Sequence, residues 1–134
     1  MFENDAKEKG ISLIFNTDIQ DEYYYLDQSM MNQICVNLMG NALKFTPSGG
    51  TITHTIKQLS KPNIYGYVNI EFSIKDNGIG MSEEYLSKAF DAFSRERTST
   101  ESGIQGTGLG LSIVKRTCDI LGANSPIVIP TWLR

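Results

Sequence analysis

Apolar positions recur along this chain at two different periods, and the switch between them predicts its elements. From Asp27 to Thr46 they fall at Met31, Ile34, Cys35, Leu38 and Ala42, the three-and-four spacing of an amphipathic helix. Asn37, Asn41 and Lys44 share a neighbouring face by the same arithmetic. Elsewhere the period is two. Ile11, Leu13 and Phe15 alternate with Ser12, Ile14 and Asn16, predicting a strand with one face well buried. Ile52, His54 and Ile56 alternate with Thr51, Thr53 and Thr55 and predict another. The clearest strand sets Val68, Ile70, Phe72 and Ile74 against Asn69, Glu71, Ser73 and Lys75. Asp76 continues it with the parity of the buried face, where a carboxylate is costly unless something donates to it. A last helical run passes through Ile113, Val114, Thr117, Cys118 and Leu121, with Gly122 as its cap.

Breakers mark the ends of these runs. Asp27 suits a helix N-cap, and Pro47-Ser48-Gly49-Gly50 stops the same helix. Lys61-Pro62-Asn63 with Gly66 predicts a hairpin loop. Asp18 to Glu22 reads as a turn before a short aromatic strand, Tyr23-Tyr24-Tyr25-Leu26, whose rings suit sheet packing better than base stacking. Ser82 is placed to cap a helix with Glu83 and Glu84 in its first turn. Residues 1–10 are polar and read as a frayed end or the tail of an upstream helix. After Gly122, Pro126 and Pro130 bracket Ile127-Val128-Ile129, room for one short edge strand at most.

Bulk properties narrow the class. The 134 residues read as one domain, 1–134, long enough to bury a core unaided. A net charge of −3 argues against nucleic-acid binding, and no apolar run approaches a membrane span. Cys35 and Cys118 lie on apolar helix faces, which reads as two buried free thiols in a reducing compartment. His54, the single histidine, reads as a hydrogen-bonded structural residue rather than a ligand.

The chemistry begins on the first helix. Amide oxygens such as those of Asn37 and Asn41 are hard ligands suited to magnesium, and the Lys44 ammonium is a point charge suited to phosphate. Two glycine-rich stretches complete the set: Asp76-Asn77-Gly78-Ile79-Gly80 and Gly106-Thr107-Gly108-Leu109-Gly110-Leu111. Glycines before a helix expose N–H groups at its positive end, an anion site. Between the two lies a polar stretch, Thr98 to Gln105, with the character of a lid hinged at Gly103 and Gly106.

With these motifs in this order, the chain resembles the catalytic ATP-binding domain of sensor histidine kinases, in the superfamily that also holds DNA gyrase, mismatch-repair and chaperone ATPases. The resemblance covers residues 10–122. It implies an α/β two-layer sandwich, helices on one face of a mixed, mainly antiparallel sheet, short of the usual C-terminal strands. It implies ATP with Mg2+ between the layers. Asn41 would be the metal ligand and Asn37 would help hold water or metal. Lys44 would meet a phosphate and Phe45 would line the adenine side. Asp76 would accept from the exocyclic amine of adenine, with Gly78 and Gly80 letting backbone approach base and sugar. Gly106, Thr107, Gly108, Leu109, Gly110 and Leu111 would hold the phosphates. Phe90-Asp91-Ala92-Phe93 resembles the family's phenylalanine box, anchoring one side of the lid, and Arg95 and Arg97 are candidates for the terminal phosphate.

The reaction implied is transfer of the γ-phosphoryl group to a histidine on a separate dimerisation domain, and onward to a response regulator. His54, on a strand, is not assigned that acceptor role. The location implied is cytoplasmic, with inner-membrane anchoring of the parent left open. Three rival readings and a bland one stand beside this. Hydrolases of the gyrase or chaperone kind carry a glutamate base one turn before the metal asparagine. Asn37 stands there, and an amide is no general base at neutral pH. An anti-sigma-factor serine kinase and a regulatory nucleotide-binding module share the motifs. A purely structural domain would have to explain Asp76 and both glycine clusters by packing alone.

Overall fold

A computed structural model describes residues 2–20, 27–80, 84, 88, 91 and 110–121. Six elements follow in chain order: α1 (Glu3–Lys9), β1 (Ser12–Asp18), α2 (Gln28–Phe45), β2 (Thr51–Gln58), β3 (Ile70–Asp76) and α3 (Gly110–Leu121). The three described strands form one sheet in the order β1-β2-β3. β1 runs parallel to β2, Leu13 facing Ile52, while β2 and β3 are antiparallel, Ile52 facing Asp76. The sheet is mixed, as expected, and of its two described pairings one is of each kind.

α2 begins where the sequence places it. The Asp27 carboxylate accepts from the Met30 N–H at 3.0 Å, satisfying one of the donors a helix start leaves open. The helix ends at Phe45, Thr46 being its C-cap in extended backbone. Two buried groups, not one stripe, hold α2. Ile34 packs with Val114 and Cys118 of α3, joined by Met31 and Leu38. Met39 and Ala42 pack with Ala6, Ile11 and Ile52, joined by Leu13, Leu43 and Ile74. Met39, 3% exposed, is a core residue the helical spacing passed over.

Three expectations are corrected. Of the two readings of residues 1–10, the frayed end gives way to a helix: α1 buries Ala6, and Gly10 caps it in the left-handed region at φ 75°, its N–H donating to the Lys7 carbonyl. The Lys9 ammonium donates to the Leu43 and Lys44 carbonyls, so a single alanine and one lysine dock a helix too polar to announce itself. β1 forms, but its face is not well buried: Leu13 is half-buried and Phe15 is 54% exposed, because α1 and α2 cover only its start. His54 is not held by a hydrogen bond at Nε2, which is buried without a partner. Its ring instead lies edge-on to Phe15 at 5.8 Å and tilted against Phe72 at 6.0 Å.

The β2–β3 hairpin matches its turn signals. Asn63 Oδ1 accepts from the N–H groups of Tyr65 and Tyr67 at 2.9 and 3.0 Å. β3 starts at Ile70 rather than Val68, although the Leu59 N–H still reaches the Asn69 carbonyl at 2.8 Å. Cys35 and Cys118 are free, Cys118 buried and Cys35 half-buried; burial pushes both thiols above their usual range, helped at Cys118 by the neighbouring Asp119 charge. Of the turn expected over Asp18 to Glu22, Asp18 is still the last residue of β1; residues 21 and 22, the strand at 23–26, the Ser82 cap, the end of the last helix at Gly122 and the strand over residues 127–129 lie outside the described residues.

Candidate functional site

Three consecutive turns of α2 set out the candidate ligands. Asn37 Nδ2 donates back to the Gln33 carbonyl at 2.7 Å, a bond that fixes the amide on its helix and leaves Oδ1 without a partner among the described residues. The Asn41 amide and the Lys44 ammonium have no hydrogen-bond partner among the described residues, and both are accessible, Asn41 half-buried and Lys44 exposed. Side chains that protein groups leave unsatisfied are available to a ligand.

The end of α2 brings the Asp76 loop to them. The Phe45 carbonyl accepts from the Ile79 N–H at 3.1 Å, so the loop after β3 is bonded to the helix one turn, about 6 Å of rise, beyond Asn41. Gly78 makes this approach possible: a Cβ there would lie 2.3 Å from the Phe45 oxygen and 2.8 Å from Asp76 Oδ1. Gly80 has a different reason, a left-handed φ of 73°, which side chains other than glycine rarely adopt. The loop is also tied to β2: Asn77 Oδ1 accepts from the Thr51 N–H at 2.8 Å.

Asp76 ends β3 half-buried, on the sheet face shared with Ile52, Ile74 and Leu13, the face the helices cover. One carboxylate oxygen accepts from the Gly78 N–H at 2.8 Å. This Asx-type bond holds the carboxylate at the strand end and shapes the turn. A shallow hollow of about 210 Å³ is lined by Thr51, Thr53, Lys75, Asp76 and Asn77. Four of these five have the opposite parity to Ile52, so the hollow belongs to the sheet's other face and not to the face that α2 covers.

α3 packs on the first half of α2, and Thr117 Oγ1, which donates to the Ile113 carbonyl at 2.8 Å, also lies 3.4 Å from Gln33 Oε1. Gly110 is its first residue, and Leu111 is turned into the core at 9% exposure. Only the Leu111 backbone is left for the anion role expected of it. Gly106, Thr107, Gly108, Leu109, Arg95, Arg97, the lid and the phenylalanines of the 90–93 motif lie outside the described residues. Among the described residues no group of three or more His, Cys, Asp or Glu could hold a metal, and no helix is long and apolar enough to cross a membrane. An amide-based magnesium site would not register as such a group, because Mg2+ takes few protein ligands and fills its shell with water and phosphate oxygen.

Comparison with known proteins places the chain in a family and a fold. Residues 26–128 match the model of the histidine kinase-, DNA gyrase B- and HSP90-like ATPase family. The virulence sensor protein BvgS of Bordetella parapertussis is 36% identical over 126 residues, 92% of this chain and 10% of that protein. The chain thus spans about a tenth of that relative's length. Among solved structures, the catalytic domain of the histidine kinase ThkA in a nucleotide-free form superposes with TM-score 0.71 at 29% identity, over 90% of this chain and 70% of that one. Full-length ShkA in complex with AMPPNP gives 0.72 at 29% identity, over 90% of this chain and 23% of that one.

Proposed function

The chain belongs to the histidine kinase-, DNA gyrase B- and HSP90-like ATPase family, with the sequence and fold of a sensor histidine kinase's ATP-binding catalytic domain, and from that premise we propose that it binds Mg-ATP and donates the γ-phosphoryl group to a histidine on a separate dimerisation domain. The observation that carries this reading is the bond from the Ile79 N–H to the Phe45 carbonyl. It ties the loop that follows Asp76 to the end of the helix that carries Asn41 and Lys44, which supports a shared site with a base-recognising group at one side and phosphate and metal ligands at the other.

In this arrangement Asp76 accepts from the adenine amine. Its second acceptor interaction, with the Gly78 N–H, orients the carboxylate before the base arrives. Phe45 lines the base side and Gly78 and Gly80 keep backbone close to the sugar. Lys44 neutralises phosphate charge, and the N-terminal turn of α3 together with Gly106 to Leu109 offers backbone N–H groups to the same oxygens. The residues present fit a magnesium ion: Asn41 would hold it through Oδ1, with Asn37 supporting its water, and the ion supplies charge neutralisation across the phosphates. Catalysis is then positioning and electrostatics, with no protein nucleophile in this chain. Arg95 and Arg97 are the candidates for the γ-phosphate. The product is passed to a response regulator, and the domain works on the cytoplasmic side.

Asn37 separates this from the hydrolase reading. Its Nδ2 is spent on the Gln33 carbonyl, and an amide oxygen takes up no proton at neutral pH. Radiolabelled ATP with this chain and an added dimerisation domain tests the proposal. Label on the added histidine supports it. Phosphate release without transfer would indicate a hydrolase, and binding with neither would indicate a regulatory module.

A further inference from the structure

The last carbonyls of a helix lack partners from its own ladder; at the C-terminal end of α2 the ladder closes at Ala42, and the next three carbonyls are met from outside the helix. Ala42 accepts from the Thr46 N–H at 3.0 Å, and Phe45 accepts from the Ile79 N–H at 3.1 Å. The middle two, Leu43 and Lys44, both accept from the ammonium of Lys9, the latter at 3.1 Å. The donor that closes this helix end comes from 34 residues earlier in the chain, on a separate helix.

The same corner is fastened twice more. The Gly49 N–H donates to the Gly10 carbonyl at 2.8 Å, and the Ser12 N–H to the Gly50 carbonyl at 3.0 Å. Thus α1, the turn after α2 and the Asp76 loop meet at one point. A cation at a helix C-terminus is favoured by the helix dipole. Lysines in a last turn often serve their own helix in this way. Here Lys44, the lysine in that turn, makes no hydrogen bond among the described residues, and Lys9 caps the carbonyls instead.

We propose that Lys9 is a positioning residue for the nucleotide site: by capping the Leu43 and Lys44 carbonyls it fixes the end of α2 against the Asp76 loop and leaves the Lys44 ammonium free for phosphate. The inference rests on the nucleotide reading above. It makes α1 part of the binding apparatus although no α1 residue touches the ligand. By linkage, the docking of α1 and the binding of nucleotide favour each other.

The test uses the full chain. Affinity for AMPPNP with magnesium is measured by calorimetry for wild type, Lys9→Met and Lys9→Arg, with urea unfolding recorded for each. Ile56→Ala, at the far end of the sheet from this corner, serves as a destabilised control with the cap intact. Lys9→Met is expected to bind about threefold to tenfold more weakly, Lys9→Arg within about twofold of wild type because it keeps charge and donors, and Ile56→Ala as wild type. Unchanged affinity in Lys9→Met overturns the inference, as does an equal loss in Ile56→Ala, which would make the effect general destabilisation. Absence of binding in the wild type overturns the nucleotide reading, and this inference with it. Should Lys9→Met not fold, hydrogen exchange on the wild type decides. Nucleotide is expected to slow exchange at the amides of residues 6–11, and unaltered exchange there on a chain that binds nucleotide overturns the coupling.

Discussion

In the proposed reading Asn41 and Asp76 serve different parts of one ligand, so their substitutions are expected to fail in different ways. The Asn41 amide is satisfied by no described protein group, and alanine is the better helix former. Asn41→Ala is therefore expected to fold as well as wild type while losing roughly tenfold or more in magnesium-dependent ATP affinity; calorimetry with and without magnesium checks it, and equal affinities would remove Asn41 from the metal. Asp76→Asn keeps an oxygen for the Gly78 N–H, which lies 2.8 Å from Oδ1 in the wild type, so the turn is expected to survive. The charge that the proposed reading assigns to the adenine amine is lost, and discrimination between ATP and GTP is expected to fall with it. His54 gives a separate, pH-linked expectation. Burial lowers its pKa below the usual 6.5, so the folded state favours the neutral ring. The stability this carries is present above pH 6.5 and is lost as pH falls through that value toward the lower folded pKa. Urea midpoints should decline as pH falls below 6.5 in wild type and stay flatter in His54→Phe, which keeps a ring beside Phe15 and Phe72.

Which elements were legible in the sequence follows from how local their causes are. α2 was legible from its spacing, its Asp27 cap and its Pro-Ser-Gly-Gly stop; β3 from strict alternation; the Asp76 position from parity alone. α1 was not, because six of its seven residues are exposed and its stability is tertiary. An isolated helix of that length is marginal in water, and tertiary contacts such as the docked Ala6, the Lys9 cap and the Gly49–Gly10 bond retain it. β1 was legible as a strand but not in its burial, since alternation reports a face and not how far the helices reach along it. The joint between elements is where the least local cause sits. The Gly78 backbone comes so close to Phe45 that glycine is required for space rather than for φ, which no reading of Asp-Asn-Gly-Ile-Gly as a turn would distinguish. Gly78→Ala is expected to push the loop off the end of α2, breaking the Ile79–Phe45 bond. The cost is about 1–3 kcal/mol in urea unfolding, with weakened nucleotide binding. A variant as stable as wild type would mean that the loop and helix are not in contact.

At the scale of the molecule, α2 is the one described element that contributes to both buried clusters. Its first half holds α3 through Ile34. Its second half holds the sheet and α1 through Met39 and Ala42. The continuous apolar stripe read from the sequence concealed this division, because helical spacing fixes which residues share a side and not which neighbours cover it. The proposed ligand residues Asn37, Asn41 and Lys44 span both halves, so nucleotide should bind best when both clusters are intact. Val114→Ala tests this. Val114 is fully buried, and removing two carbons there is expected to cost roughly 2 kcal/mol. The loss should be confined: amide exchange is expected to rise in α3 and the first half of α2 while β2 and β3 keep their protection. Ligand at a hundredfold excess over its Kd supplies about 2.7 kcal/mol to any state that binds it, more than the substitution removes. Liganded Val114→Ala is therefore expected to melt at or above the unliganded wild type, with α3 exchange restored. If exchange instead rises evenly through all elements, the two clusters unfold as one and α2 is not the joint between them.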